Sequence, residues 1–156
     1  MTLQDLGSLG EFIAAIATLV TLVYLAAQIR QNTNSVRSAT SASISDALSR
    51  GTETLSSDPE LTRIWFLGSE KYESLTDEEE RRFQVYLLTY LRRLENAFYQ
   101  KERGLVDPDH WQTTERFLAN IMSQPGVLHY WKRSKSRYSD RFQRFVEDHI
   151  SDSCSA

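Results

Sequence analysis

Residues 12–29 read FIAAIATLVTLVYLAAQI, eighteen consecutive positions without a charged side chain. Thr18, Thr21 and Gln28 are the polar residues of this stretch, and the threonine hydroxyls can bond back to their own helix. An 18-residue helix is about 27 Å long, close to the thickness of a bilayer's hydrocarbon core. Because nine of the residues are Leu, Ile, Val or Phe, membrane insertion is favoured by a few kcal/mol. The stretch therefore predicts a transmembrane helix, with a buried core helix of a soluble protein as the alternative.

The charges on either side of this stretch differ in sign. Glu11 precedes it, whereas Arg30 and Arg37 follow it. Because positive residues are retained on the cytoplasmic side, we expect a single-pass protein with its N-terminus outside and its C-terminal domain in the cytoplasm. A cleaved signal peptide is a weaker interpretation, since residues 1–10 contain no Lys or Arg. The single cysteine, Cys154, excludes an internal disulfide bond, which fits a reducing compartment.

The rest of the chain carries start and stop signals of helices. Two Asp-Pro pairs combine an N-cap residue with proline at the first helical position, and one Thr-x-x-Glu run has the spacing of a capping box. The predicted starts are Asp58-Pro59, Thr76 with Glu79, Asp107-Pro108, Ser123-Gln124-Pro125 and Ser139-Asp140, and Gly104 is a predicted helix end. We therefore predict an all-α fold, in which a single N-terminal transmembrane helix continues into a small cytoplasmic helical bundle of about five helices.

The longest predicted helix of the bundle, residues 77–103, has an apolar stripe at spacings of three and four. The stripe consists of Phe83, Leu87, Tyr90, Leu91, Leu94 and Phe98. We expect it, and the aromatic residues in general, to form the core. Glu95 borders the stripe and follows Arg92 by three positions, so a structural ion pair is the simplest interpretation and a catalytic base is the alternative.

Residues 33–57 allow two interpretations. Twelve of these 25 residues are Ser or Thr, which is typical of a linker. However, the segment has no proline, and Ile44, Leu48 and Gly51 share one helical face, so we expect the first helix to continue to about Ser49 with that face packed on the domain. The predicted organisation is an anchor at 1–32, a helical extension or linker at 33–57, a cytoplasmic helical domain at 58–150 and a disordered tail at 151–156.

A heptad pattern of small and polar residues runs along the first helix. Its members, here called the seam, are Gly10, Ala14, Ala17, Thr21, Tyr24 and Gln28. In a bilayer, small residues let helices approach closely, and Thr or Gln can hydrogen-bond across the contact. We interpret the seam as a self-association face. Two alternatives stay open: several copies surrounding a polar conduit, or a lone anchor whose small residues are incidental.

Charge is unevenly distributed along a chain of net charge −3. Residues 58–80, the acidic segment, hold eight acidic residues against Arg63 and Lys71. Six bases, here called the basic segment, are interleaved with aromatic residues: Lys132, Arg133, Lys135, Arg137, Arg141 and Arg144. A basic, aromatic helix on a membrane-tethered domain would suit anionic lipid headgroups, and nucleic acid is a less expected partner. The simplest alternative is a solvated helix face that pairs with the acidic segment.

The sequence contains no recognisable catalytic or metal-binding motif. His110, His129 and His149 are widely separated and lack a second ligand at zinc spacing. Glycine-rich phosphate loops, G-x-S-x-G and H-E-x-x-H are also missing from the sequence. We therefore expect no metal and no cofactor.

Several short runs of the sequence are distinctive. They are LGEF at 9–12, YLAAQIRQNT at 24–33, Glu95-Asn96, Gly104 and Trp111. In these residues, and over most of its length, the chain resembles an uncharacterised family of small bacterial proteins with one N-terminal transmembrane helix and a helical cytoplasmic domain. The resemblance implies a location in the bacterial inner membrane and implies no activity, cofactor or binding residue.

Taken together, these features predict a membrane-anchored, self-associating scaffold or interaction module. Its expected partners are the lipid bilayer, further copies of the same chain and, through the basic segment, anionic headgroups. A small oligomeric pore or membrane-acting effector is the first alternative, and a membrane-anchored enzyme is the second.

Overall fold

The computed structural model describes residues 3–153, and solvent exposure is described at residue 7 and at residues 10–148. These residues form six α-helices and two short 3₁₀ turns, and no strand occurs among them. The predicted all-α fold is therefore confirmed. The helices are α1 (Leu3–Ser57), α2 (Pro59–Glu70), α3 (Asp77–Glu102), α4 (Pro108–Met122), α5 (Pro125–Ser134) and α6 (Asp140–Ser153), and the turns are Tyr72–Ser74 and Lys135–Arg137.

The chain divides into two compact units, residues 1–38 and residues 39–156. The described part of the first unit is the N-terminal portion of α1. The second unit contains the rest of α1 together with α2 to α6. The end of the predicted tail, residues 154–156, lies outside the described residues.

The Ser/Thr-rich residues 33–57 are helical throughout, and α1 ends at Ser57 rather than near Ser49. Hydroxyl groups in this stretch donate to the backbone of their own helix. Thr33 Oγ1, for example, lies 2.9 Å from the carbonyl oxygen of Ile29. Because these hydroxyls donate to carbonyls of the helix itself, they do not stabilise a competing loop conformation of the backbone.

The part of α1 within the second unit is attached to α3 by both burial and hydrogen bonds. Ile44 and Gly51 are buried on the face that the sequence predicts to pack on the domain. The hydroxyl of Tyr86 donates to the carbonyl of Gly51 (3.0 Å), and Arg93 Nη1 donates to the carbonyl of Ala47 (2.9 Å). This end of α1 is therefore part of the helical domain.

Helices α2 and α3 begin at the predicted capping residues. Asp58 Oδ1 accepts a bond from the backbone N–H of Leu61 (3.0 Å). Thr76 and Glu79 form the capping box: the Glu79 N–H donates to Thr76 Oγ1 (3.4 Å), and the Thr76 N–H donates to Glu79 Oε2 (2.8 Å). The bond from the Thr76 N–H, together with a bond from Arg63, lowers the pKa of Glu79 to about 2. The carboxylate therefore stays ionised in the folded chain at all but very acidic pH.

Later helix boundaries are also where the sequence places them. Asp107 Oδ1 accepts a bond from the N–H of Asp109 (3.0 Å) at the start of α4, and Ser139 Oγ accepts one from Phe142 (3.4 Å) at the start of α6. Gly104 follows α3 with φ of +69°, a conformation that glycine adopts without a steric penalty.

The apolar stripe of α3 forms the centre of the core, as predicted. Phe83, Leu87 and Leu91 have no solvent-accessible surface. The aromatic residues Trp131 and Phe142 are buried in the same cluster, so these rings serve packing rather than ligand binding. The expectation that aromatic residues are mainly core is met for these positions.

The close contact between α2 and α5 depends on Gly126, at the start of α5. A Cβ atom at this position would lie 1.7 Å from the carbonyl oxygen of Gly68 in α2. Backbone atoms cannot yield in the way that a flexible side chain can, so a larger residue at position 126 would force α2 and α5 apart.

We predict that Gly126→Ala lowers the free energy of unfolding by about 1–3 kcal/mol or more, because the added methyl group overpacks this contact. The measurement is urea unfolding of the detergent-solubilised chain, followed by tryptophan fluorescence. All three tryptophans lie in residues 39–156, so the signal reports the second unit. Gly10→Ala is the matched control, since nothing lies within 4 Å of its added Cβ. An unchanged urea midpoint for Gly126→Ala would contradict the packing argument.

Candidate functional surfaces

The apolar stretch 12–29 is exposed in the part of the chain that the structure describes. Phe12 is 64% exposed, Leu19 63% and Val23 70%, and none of the apolar stretch is buried. Among the described residues, α1 is the helix that is long and apolar enough to cross a membrane. The alternative of a core helix requires these side chains to be mostly buried, and none of them is buried among the described residues.

All six seam residues lie on exposed positions of α1. Their polar groups have partners within the helix: Thr21 Oγ1 donates to the carbonyl of Ala17 (2.8 Å), and Gln28 Nε2 donates to the hydroxyl oxygen of Tyr24 (2.8 Å). The hydroxyl bond confirms the expectation for Thr21. Three seam residues, Gly10, Ala14 and Ala17, are therefore small, and the Thr21 hydroxyl is satisfied within the helix, which lowers the cost of burying this part of the face in an apolar environment.

The basic segment is divided between two helices and a turn, so the description of it as one helix is wrong, whereas the predicted helix start at Ser139-Asp140 is confirmed. Lys132 and Arg133 lie in the last turn of α5, Lys135 and Arg137 in the following 3₁₀ turn, and the remaining two arginines on α6. The backbone of Tyr138 is extended, and Ser139 then caps a new helix. All six cationic side chains are exposed.

Aromatic residues near these bases point into the core and cannot stack on a ligand. Tyr130, Trp131, Tyr138 and Phe142 are each buried. Stacking of nucleic acid bases requires exposed aromatic faces, so the described surface gives the basic segment no means of binding nucleic acid by stacking.

The simplest alternative was that the basic segment pairs with the acidic segment. The ion pairs described for these segments are with other residues. Lys135 Nζ lies 2.6 Å from Glu147 of α6. In the acidic segment, Asp58 pairs with Arg82 (2.9 Å), and Arg63 pairs with acids close to it. In these pairs, the acidic segment thus bonds to Arg63 within it and to Arg82 of α3, and Lys135 bonds to Glu147 of α6.

Glu95 has the structural role that its sequence position indicates. Its side chain is buried, and Oε2 accepts a bond from Arg92 Nη1 (2.9 Å). Oε1 accepts a bond from the backbone N–H of Ser139 (2.8 Å), at the start of α6. Arg92 also donates to the carbonyl of Arg137 (2.7 Å) and lies 5.2 Å from the ring centre of Tyr138. This pair therefore joins α3 to the segment that leads into α6.

We predict that Glu95→Ala lowers the free energy of unfolding by about 1–3 kcal/mol, because the Ser139 N–H loses its partner at a partly buried site. Urea unfolding by tryptophan fluorescence measures the change. Glu53→Ala, at an exposed position of the same unit, is the control and should change the value by less than about 0.5 kcal/mol. Equal values for the two variants would show that the pair contributes nothing.

Ser45 and His110 form the one contact in the described residues that resembles a nucleophile and its base. Ser45 Oγ and His110 Nε2 are 3.1 Å apart, at the edge of a cavity of about 270 Å³. No described carboxylate hydrogen-bonds to the other ring nitrogen of His110, and Ser45 lies in the middle of α1, where backbone N–H groups are already used by the helix. The contact therefore lacks both an orienting group and an oxyanion site. The described residues also contain no cluster of three or more potential metal ligands.

A larger cavity, of about 420 Å³, lies between the end of α1, α2 and α3 in the second unit. Its walls are mainly apolar, and three arginines stand among its lining residues. The lining consists of Gly51, Thr54, Leu61, Arg81, Arg82, Val85, Tyr86, Thr89, Tyr90 and Arg93. A cavity of this size falls within the range of small-molecule sites.

This cavity was not predicted from the sequence. Its signal was present on α3, where Arg82, Tyr86, Thr89 and Arg93 recur at spacings of four, three and four beside the core stripe. This face of α3 predicts a ligand site only when the residues opposite it are known. Here the opposite wall includes Gly51 of α1, which is far from α3 in sequence.

No family model, curated protein or solved structure matches the chain. The resemblance to small bacterial membrane proteins therefore stays a prediction. What the chain does must be argued from its own surfaces.

Proposed function

We propose that this chain is a membrane-anchored interaction module that self-associates through the N-terminal part of α1. The observation that carries the proposal is the exposure of every large apolar side chain in the stretch 12–29. Water is a poor solvent for such a surface, whereas a bilayer of matching thickness covers it along its whole length.

Insertion energetics support the anchor. Each of the nine Leu, Ile, Val and Phe residues of the stretch contributes roughly 0.3–0.6 kcal/mol near the helix centre, which sums to about 3–5 kcal/mol in favour of insertion. The hydroxyls of Thr18 and Thr21 donate to carbonyls of their own helix, so they enter lipid without an unpaired donor.

The proposed orientation follows from the flanking charges. Arg30 and Arg37 follow the stretch and Glu11 precedes it, which favours a cytoplasmic location for residues 39–156. In this arrangement the protein is a single-pass component of a bacterial inner membrane, and its helical domain is available to cytoplasmic partners.

Self-association is supported by the seam. Gly10, Ala14 and Ala17 present little side-chain bulk, and nothing lies within 4 Å of a Cβ added at Gly10. A second copy of the helix can therefore approach closely, which maximises packing between helices where lipid removes the hydrophobic driving force. The pore and enzyme hypotheses stay predictions, since no observation among the described residues favours either.

The anchor is tested by Leu19→Lys combined with Val23→Lys. Each lysine near the helix centre costs about 2.5–3.5 kcal/mol of insertion free energy, so the variant should leave the membrane fraction on carbonate extraction while the unmodified chain stays with the membrane. Val36→Lys, which adds a charge to exposed α1 beyond the stretch, is the control and should remain membrane-bound. Recovery of the unmodified chain as a soluble monomer would overturn the anchor.

Self-association is tested by Ala14→Leu combined with Ala17→Leu. The added side chains should separate the seam faces, so the assembly mass in mild detergent is expected to fall to one chain. Ala15→Leu combined with Ala26→Leu adds the same bulk off the seam and should leave the mass unchanged. Identical masses for both variants would remove the seam from the proposal while leaving the anchor in place.

A further inference from the structure

We propose that the 420 Å³ cavity binds a single-chain anionic amphiphile, such as a fatty-acid carboxylate, with the alkyl chain along the α3 wall and the anion at the arginines. This inference concerns the second unit alone and does not depend on self-association through the seam.

The cavity wall suits an alkyl chain. Leu61, Val85 and the rings of Tyr86 and Tyr90 supply apolar surface, and Val85 is 63% exposed to solvent. Covering Val85 and its neighbours with hydrocarbon removes apolar area from water, which is worth about 25 cal/mol per Å².

The hydroxyl groups of Tyr86 and Thr89 on the wall are already hydrogen-bonded. The hydroxyl of Tyr86 donates to the carbonyl of Gly51 (3.0 Å), and Thr89 Oγ1 donates to the carbonyl of Val85 (3.0 Å). Because these donors have partners, the wall offers little to a polar ligand and favours one whose body is hydrocarbon.

The three arginines in the cavity lining differ in how far they are already paired. Asp58 pairs with Arg82 (2.9 Å), and Arg93 uses one N–H on the carbonyl of Ala47 (2.9 Å). Arg81 is exposed and forms no hydrogen bond or ion pair with any described residue, and the lining contains no acidic side chain. A guanidinium group in this position can bind a carboxylate through two parallel hydrogen bonds.

Gly51 keeps the cavity in its present form. A Cβ atom at this position would lie 3.1 Å from both Arg93 Nη1 and the ring of Tyr90. A side chain at position 51 would displace Arg93 and Tyr90, which supply a cationic group and part of the apolar wall of the cavity. The glycine thus allows α1 to approach α3 while these side chains keep their places.

One alkyl chain joined to an anion could come from a free fatty acid or from an anionic membrane lipid. The test uses the full-length chain in nanodiscs of zwitterionic lipid and a dodecanoic acid probe that carries a photoreactive diazirine. Peptide mapping by mass spectrometry identifies the labelled residues. We expect label on the cavity residues of α3 and at the end of α1, suppressed by excess dodecanoate and not by dodecanol.

Charge variants separate this site from general hydrophobic labelling. Val85→Glu and Val85→Lys place opposite charges at the same exposed position, so the glutamate should raise the dodecanoate concentration for half-maximal competition by about tenfold and the lysine should not. Arg81→Glu should act like Val85→Glu, while Arg103→Glu, at an exposed position outside the cavity, should have no effect. Unchanged urea midpoints would show that the variants remain folded.

Equal labelling by a neutral dodecanol probe, equal effects of the two Val85 variants, or label confined to residues outside the cavity would each overturn the proposal. A second arm replaces part of the nanodisc lipid with an anionic phospholipid. Loss of label in that arm identifies membrane lipid as the occupant, and retained label identifies a free fatty acid; both results uphold an anionic amphiphile as the ligand.

Discussion

Phe83, Leu87 and Leu91 of α3 are inaccessible to solvent because every other helix of the second unit contributes to the cluster around them. Burial of this apolar stripe supplies the driving force for residues 39–156, since apolar area removed from water is the main favourable term in folding. Polar contacts then fix the borders of the stripe. Arg93 bonds to the end of α1, and Glu95 bonds to the start of α6. The cavity lies against the exposed side of the same helix, so its shape depends on this packing.

The first unit uses the same kinds of side chain in a different way. In residues 12–29 the Leu, Val and Ile side chains are exposed, and Thr18, Thr21 and Gln28 each donate a hydrogen bond within the helix. A single helix can satisfy its backbone without neighbours, which is the condition that a bilayer imposes. The contrast between the units is therefore one of solvent: the second unit excludes water with its own helices, and the first is proposed to exclude it with lipid.

Most of the fold could be predicted because its signals are local. The caps at Asp58, Thr76 and Asp107 depend on neighbouring residues alone, and the stripe of α3 depends on helical periodicity. The description of the basic segment as one helix overlooked the start signal at Ser139-Asp140, which depends on neighbouring residues alone and where α6 does begin; Tyr138 before it is extended and buried. The cavity was missed for another reason: its two walls are about thirty or more positions apart in sequence, between Gly51 and α3, and periodicity reports one wall at a time.

Hydroxyl groups along α1 make the same intrahelical bond on both sides of Arg30. Thr18 and Thr21 in the apolar stretch, like Thr33 and Ser35 beyond it, donate to the carbonyl four residues earlier. Moving one of these groups between lipid and water would exchange no donor partner, so the hydroxyl groups themselves would add little to the cost of displacing the helix along its axis. In a bilayer of different thickness, the limits on such a displacement would be set by the charges of Glu11 and Arg30 at the two ends of the apolar stretch.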